Sequence, residues 1–79
     1  MRVTLKLFAT YRRYLPPGTE GHACDLDVSP GSRVGDVMAQ FGVPTDGTAV
    51  LLVNGRMVSA EHELREGDAL AAFPAMAGG

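Results

Sequence analysis

The chain has 79 residues, which leaves room for one small domain with a limited core. Hydrophobic residues make up 46 % of the sequence and charged residues 20 %, so a low-complexity or highly charged disordered chain is excluded. The formal net charge of −2 does not predict the basic surface of a nucleic-acid-binding protein.

Disulfide, metal and membrane signals are missing from the sequence. Cys24 is the only cysteine and cannot form an internal disulfide. His22 and His62 lack the spacing of metal ligands. The longest apolar run, residues 49–53, is far shorter than the roughly 20 residues that cross a bilayer. The first residues do not resemble a signal peptide, so we expect a cytoplasmic protein with neither a metal site nor a membrane partner.

The beginning of the chain predicts a strand followed by a short helix. Apolar and polar side chains alternate over residues 1–8, which is typical of a strand. The aromatic ring of Phe8 is expected on the side opposite the apolar residues of this strand. Residues 9–15 predict a short helix, which the sequence Pro16-Pro17-Gly18 ends.

A second strand is predicted over residues 22–28, where the alternation returns. We expect this strand to pair with the first in the antiparallel sense. Cys24 would point into the core as a small buried side chain. Asp25 and Asp27 share the other face, which we interpret as solvated.

The clearest helical pattern lies in the middle of the sequence. Apolar residues recur there at i, i+3, i+4 and i+7, so that one side of a short helix would cover a sheet. Ser32 is the predicted N-cap, and Gly42 the predicted left-handed residue at the end. The apolar stripe consists of Val34, Val37, Met38 and Phe41.

Three strands are predicted in the C-terminal half. The nearly continuous apolar run at residues 49–53 favours a central strand that is covered on both faces. The dipeptide Asn54-Gly55 predicts a tight hairpin into a short return strand at residues 56–59. Residues 69–73 predict the last strand, which Pro74 is expected to end.

This order of elements predicts an α+β fold in which a mixed sheet packs on one main helix. A right-handed crossover through the helix would place the first and last strands side by side and parallel. That arrangement is the β-grasp. We expect residues 1–73 to form the single domain and residues 74–79 to form a flexible, extended C-terminal tail.

The sequence contains no common motif of side-chain catalysis. Its unusual feature is the ending Gly78-Gly79, since glycine is about 7 % of residues and a chance Gly-Gly ending has a probability of roughly 0.5 %. Two glycines make a thin arm that can carry a carboxylate into another protein's active site. We therefore expect a carrier and not an enzyme, with a terminal carboxylate that a partner converts to an acyl-adenylate.

Four segments carry a family resemblance, in order over essentially the whole chain. They are Leu7-Phe8-Ala9-Thr10-Tyr11-Arg12, Val53-Asn54-Gly55, Leu64-x-x-Gly67-Asp68 and Phe73-Pro74-x-x-x-Gly78-Gly79. These segments resemble the MoaD-type small subunit of molybdopterin synthase, within the MoaD/ThiS sulfur-carrier family. The resemblance implies a ubiquitin-like β-grasp fold.

The resemblance also implies a function and two partners. A MoeB-type, ubiquitin-activating-like adenylyltransferase would use ATP to adenylate the terminal glycine, which is then thiocarboxylated. The carrier would donate this sulfur to molybdopterin in a MoaE-type large subunit, for the molybdenum or tungsten cofactor. The chain itself would bind no cofactor.

Carried over by position, the resemblance assigns a role to each candidate site residue. Gly79 would bear the thiocarboxylate, and Gly78 would thread the tail into the partner. The expected partner-binding residues are the apolar docking patch of Phe8, Met57, Phe73 and Pro74, the polar contact Arg12, and Met76 in the tail.

Three alternatives remain open from the sequence. The chain could carry sulfur for another product, such as thiamine thiazole, cysteine or another metabolite. It could be a ubiquitin-like modifier of other proteins, although Lys6 is its only lysine and offers few attachment points for chains of itself. It could also be a β-grasp interaction module.

Overall fold

The computed structural model describes residues 1–75. Within them, five strands, one α-helix and one 3-10 helix form the fold. Their bounds are β1 Arg2–Leu7, the 3-10 helix Ala9–Tyr14, β2 Ala23–Asp27, α1 Val34–Phe41, β3 Ala49–Val53, β4 Arg56–Met57 and β5 Ala69–Pro74.

The strands form one mixed sheet in the order β2-β1-β5-β3-β4. β1 and β5 are parallel neighbours at the centre, with Leu5 beside Leu70. The other neighbouring pairs are antiparallel. The predicted α+β, ubiquitin-like β-grasp fold, with its parallel pairing of the first and last strands, is confirmed.

The core lies between α1 and one face of the sheet. The helix contributes Val34, Val37 and Met38, each at most 1 % exposed, as its apolar stripe predicts. Alternate residues of β1, β3 and β5 face it, because successive side chains of a strand point to opposite faces. These buried strand residues are Val3, Leu5, Leu7, Leu51, Val53, Leu70 and Ala72.

The helix starts at a different residue than predicted. Arg33, with extended backbone at φ −110° and ψ 163°, occupies the N-cap, and its N–H donates to Oδ2 of Asp36 at 2.9 Å. The Ser32 hydroxyl donates instead to the Ser29 carbonyl at 2.6 Å, so it belongs to the preceding turn. The predicted cap at Ser32 is therefore wrong, whereas Gly42 ends the helix at φ 80° as expected.

The prediction that β3 is covered on both faces is wrong. Leu51 and Val53 are buried, but Val50 and Leu52 on the other face are only partly covered. The sequence supplies one α-helix within residues 1–75, and it covers one face of the sheet. An apolar run in an inner strand therefore does not mean that both of its faces are buried.

Cys24 lies at the sheet edge and is not fully buried. Its side chain shares the helix-covered face with Leu5, its cross-strand partner, as predicted. Because β2 has a neighbour on one side only, Cys24 is half-buried and not part of the fully enclosed core. Partial burial raises the pKa of its thiol above the ordinary value, and the negative charge of the nearby Asp25 carboxylate raises it further by a smaller amount.

The remaining differences concern element ends. The predicted helix over residues 9–15 is a 3-10 helix, and the return strand is limited to Arg56–Met57. Asn54 and Gly55 have φ values of 51° and 84°, as the predicted hairpin requires.

Pro74 is the last residue of β5, so the strand ends there as predicted but extends one residue beyond the predicted range 69–73. Pro74 pairs with Ala49 in β3, and the Ala75 N–H donates to the Thr48 carbonyl at 2.9 Å. In an antiparallel pair, only every second residue of a strand hydrogen-bonds to a given neighbour. Ala75 is one of the residues that bond on the β3 side and Pro74 is not, so the missing N–H of Pro74 removes no bond to β3.

Candidate functional site

The sheet face opposite α1 is not covered by any other element within residues 1–75, and we call it the open face. Its members follow from strand alternation and from the register of the five strands. Residues that stand opposite each other on neighbouring strands share a face. The open face comprises Arg2, Thr4, Lys6, Ala23, Asp25, Asp27, Val50, Leu52, Met57, Ala69, Ala71 and Phe73.

One end of the open face is polar, and its side chains bind each other. The Arg2 guanidinium Nε lies 3.1 Å from Oδ1 of Asp27 across β1 and β2. In the next row, the Thr4 hydroxyl donates to Oδ1 of Asp25 at 3.0 Å. The polar groups of this end are thus paired within the chain.

The other end of the open face is apolar. Phe73 stands opposite Val50, and Leu52 stands between Ala71 and Met57. Met57 is 76 % exposed, and the other side chains are only partly covered. We call Phe8, Val50, Leu52, Met57, Ala71 and Phe73 the apolar band.

Phe8 joins this band just beyond the end of β1. Leu7 pairs with Ala72, so the next residues along the two parallel strands, Phe8 and Phe73, lie side by side. The backbone of Phe8 is extended, which turns its ring to the open face. The ring centroid lies 4.7 Å from that of His22 in the loop before β2, which bounds the band on that side.

The last described residues lie at the apolar end of the sheet. Ala75 is bonded to the Thr48 carbonyl, which also accepts a hydrogen bond from the Tyr11 hydroxyl at 3.4 Å. The Thr48 N–H and hydroxyl donate to Oδ1 of Asp46 at 3.1 and 2.6 Å. These bonds lower the pKa of the Asp46 carboxyl, and they hold the segment that anchors Ala75.

The structure brings together part of the predicted docking patch. Phe8 and Phe73 are neighbours, and Pro74 follows at the end of β5. Met57 lies on β4, three strands from Phe8 and therefore roughly 14 Å away. Val50 and Leu52 connect the two parts, and sequence reasoning missed both because their strand was predicted to be buried on each side.

Arg12 lies on the 3-10 helix that follows Phe8. Its Nη2 donates to the Gly21 carbonyl at 3.2 Å, and the side chain is exposed. The guanidinium is thus held against the loop before β2, close to His22. The predicted tail residues Met76, Gly78 and Gly79 lie outside the described residues.

Other kinds of site have little support among residues 1–75. No group of three or more His, Cys, Asp or Glu side chains there is arranged to hold a metal ion. No helix in this range is long and apolar enough to span a bilayer. An open groove of about 740 Å³ lies at the far end of β3, between the hairpin after Val53 and the segment of His62 to Arg65.

That groove does not define a ligand class. Two arginines and two acidic residues line it, so no single charge dominates. One of its carboxylates, that of Asp68, is already bound to the Asn54 amide at 3.0 Å and to the Arg65 N–H at 2.8 Å. The apolar band is therefore the better candidate for a functional surface.

Comparison with known proteins gives the same fold and one family. The Mut7-C ubiquitin family matches residues 1–78 of the sequence. No curated protein sequence is significantly similar to the chain.

Solved structures from archaea are similar over nearly the whole chain. The HVO 2177 protein of Haloferax volcanii has a TM-score of 0.79 and 28 % identity, covering 100 % of this chain and 87 % of that one. A protein assigned as molybdopterin converting factor subunit 1 from Pyrococcus furiosus has a TM-score of 0.74 and 26 % identity, covering 95 % and 98 %. SAMP1 of Haloferax volcanii has a TM-score of 0.74 and 22 % identity, with 100 % of both chains covered.

The Pyrococcus furiosus structure bears out the resemblance to MoaD-type proteins noted in the sequence. The likeness to SAMP1, at its lower identity, shows the fold alone. Together with the match over residues 1–78, these findings identify the chain as a ubiquitin-like β-grasp protein that belongs to the Mut7-C ubiquitin family.

Proposed function

We propose that this protein is a sulfur carrier for molybdenum or tungsten cofactor synthesis, acting as the small subunit of a molybdopterin synthase. The carboxylate of Gly79 would be its reactive group. The observation that carries the proposal is the apolar band, which lies at the end of the sheet where β5 leads toward Gly78 and Gly79.

The band has the character of a partner-binding surface. It joins several partly exposed apolar side chains across four strands, and a contiguous apolar patch on a small protein marks an interaction site. A partner seated on the band would lie directly beside the root of the tail. Docking would then place residues 76–79 at the partner's active site without any catalytic side chain from this chain.

The proposed chemistry has two steps, both in a partner. A MoeB-type adenylyltransferase joins the Gly79 carboxylate to AMP from ATP and releases pyrophosphate. Sulfide then attacks the acyl carbon and displaces AMP, which leaves a thiocarboxylate. If the donor is a persulfide, the same attack gives an acyl disulfide, and a second thiol reduces its S–S bond to release the thiocarboxylate and a disulfide. This sulfur is the nucleophile that would be delivered to molybdopterin in a MoaE-type large subunit.

Two relatives support this choice of pathway. The Pyrococcus furiosus protein, assigned as molybdopterin converting factor subunit 1, is 26 % identical over nearly its whole length. A structure from Helicobacter pylori, with a TM-score of 0.60 and 16 % identity, is a complex of subunits 1 and 2 of molybdopterin-converting factor. A chain of this fold thus takes part in a two-subunit assembly of the proposed kind.

The proposal is tested by activation in vitro. The full chain is incubated with a MoeB-type enzyme, Mg-ATP and sulfide, and pyrophosphate release and intact mass are followed. We expect ATP-dependent release and a mass increase equal to the exchange of one oxygen for sulfur. The matched variant lacking Gly79 should keep its fold and show neither change. An unchanged wild-type terminus would reject the carrier role.

A second assay separates the pathways. Thiocarboxylated chain is mixed with a MoaE-type large subunit and the sulfur-free molybdopterin precursor. Formation of the dithiolene is the expected result. Sulfur that remains on Gly79 here but is released by a thiazole synthase would assign the carrier to another product, and isopeptide conjugates through Gly79 would indicate a modifier.

A further inference from the structure

A single charged side chain lies within the apolar end of the open face. It belongs to Lys6, the only lysine in the sequence. The register places Lys6 between Ala23 on β2 and Ala71 on β5. Both direct cross-strand neighbours are alanines, whereas the longer side chains of Asp25 and Phe73 lie diagonally on the same face, and Lys6 is partly covered.

No carboxylate of the described residues forms an ion pair with this ammonium. Asp27 pairs with Arg2, which is the one salt bridge within residues 1–75. Asp25 accepts its hydrogen bond from Thr4. In the described part of the chain the Lys6 Nζ makes neither an ion pair nor a hydrogen bond, so water solvates it in the free protein.

Covering the apolar band removes that water. Lys6 lies in the same row as Ala71, Leu52 and Met57, so a partner that covers the whole row from β4 to β1 also buries the ammonium. An unpaired buried charge is strongly unfavourable. The only route by which the Lys6 ammonium reaches solvent is past Ala23 on the edge strand β2, and a partner that covers β2 as well closes it. A partner surface that is apolar throughout would therefore fit this face poorly.

We propose that the protein which docks on the open face, the MoaE-type large subunit, presents an Asp or Glu carboxylate to Lys6 within an otherwise apolar surface. This inference rests on the proposed function, because it names the chemistry of that partner's contact surface. Lys6 then selects the partner: it favours a surface with a matching carboxylate and disfavours apolar surfaces that lack one.

The direction in which Lys6→Leu changes the affinity for the large subunit tests the inference. Affinity of the full chain for the large subunit is measured by titration calorimetry for wild type, Lys6→Glu, Lys6→Leu and Lys6→Arg. Lys6→Glu should weaken binding by about tenfold or more, and Lys6→Leu should also weaken it, since the partner carboxylate loses its counter-charge. Lys6→Arg should bind within about threefold of wild type. Equal or tighter binding by Lys6→Leu would overturn the inference.

Arg65→Glu provides the matched charge control. It makes the same change of charge in the groove away from the open face, and no hydrogen bond of its side chain is broken within residues 1–75. We expect it to bind as wild type does. Thermal unfolding of every variant establishes that the compared chains are folded.

Cross-linking identifies the carboxylate directly. A carbodiimide joins an amine to a carboxylate in contact with it, and Lys6 is the chain's only side-chain amine. Mass spectrometry of the treated complex should find Lys6 joined to one acidic residue of the large subunit. Lys6→Arg should keep the affinity and lose this product, whereas a wild-type complex without any Lys6 cross-link would contradict the inference.

Failure of the inference and failure of the proposed function give different results. If Phe73→Ser abolishes binding while Lys6→Leu binds as tightly as wild type, only the carboxylate is wrong. If Phe73→Ser and the Lys6 variants all bind like wild type, the open face is not the docking surface. Absence of binding by the wild-type chain would overturn both.

Discussion

The two faces of the sheet use similar residues for different purposes. On the helix-covered face, the buried strand residues of the core are 0–7 % exposed. On the open face, Val50, Leu52 and Phe73 are equally apolar but only partly covered, and Met57 is 76 % exposed. The difference comes from topology, since one α-helix within residues 1–75 covers one face and leaves the other available to partners.

The open face is itself divided into two ends. At the polar end, Arg2, Thr4, Asp25 and Asp27 bind one another across β1 and β2. At the apolar end, next to the root of the tail, no such internal pairing exists among the described residues. Partner binding is therefore expected to concentrate at the apolar end.

The largest effect should come from matched truncations on the two faces. Leu70→Ala removes a fully buried side chain and should lower the free energy of unfolding by about 2–5 kcal/mol. Leu52→Ala, in the adjacent strand but on the open face, should cost less than about 1.5 kcal/mol. Urea denaturation measures both, and equal losses would mean that the open face is as important for folding as the covered one.

Substitutions on the open face should weaken partner binding more than they lower stability. Met57→Ser should weaken binding to the large subunit by about tenfold, because the side chain lies in the apolar band. Its stability should stay within about 0.5 kcal/mol of wild type, since the side chain is largely exposed. Calorimetry and denaturation on the same samples check this; unaltered affinity would remove Met57 from the docking surface.

The reactivity of the Cys24 thiol measures how far the edge of the covered face is shielded from solvent. Because the pKa of its thiol is raised, less thiolate is present at neutral pH, and alkylation by iodoacetamide should be slower than for free cysteine. The folded state holds the proton more tightly than the unfolded state, so this group stabilises folding below the ordinary thiol pKa, and the gain is lost as pH rises through the raised value. Alkylation as fast as in the denatured chain would contradict this.

The smallest effect is expected at the polar end. Arg2→Ala breaks the ion pair with Asp27, in which both side chains are well exposed, so the loss of stability should be between 0 and about 1 kcal/mol. Added salt should reduce the difference further. Binding to the large subunit should not change, and a strong loss of affinity would extend the docking surface to the polar end.

Local pattern predicted most of the fold. Alternation in residues 1–8 and the apolar stripe from Val34 to Phe41 identified strands and helix, because those periods report directly on which side is buried. The crossover rule supplied the parallel pairing of β1 and β5. Ser32 was misplaced by one residue, since Ser29 and Asp36 offered competing hydrogen bonds that spacing alone does not rank.

The candidate site was harder to predict. Phe8, Phe73 and Met57 were selected through the family resemblance, whereas Val50 and Leu52 were overlooked as core. Counting covering elements provides the missing signal: one predicted α-helix cannot cover both faces of a sheet, so one face of an apolar inner strand must remain open. The isolated position of Lys6 required the strand register, which sequence pattern does not give.

The central claim is that Gly79 carries the transferred sulfur, and intact-mass analysis of the protein isolated from its own cells tests it most directly. The account predicts a chain that ends at Gly79, with a fraction heavier by the exchange of one terminal oxygen for sulfur and fragment ions that place the change on Gly79. A terminus other than Gly79, or one that holds no sulfur while the cells are making the cofactor, would contradict it.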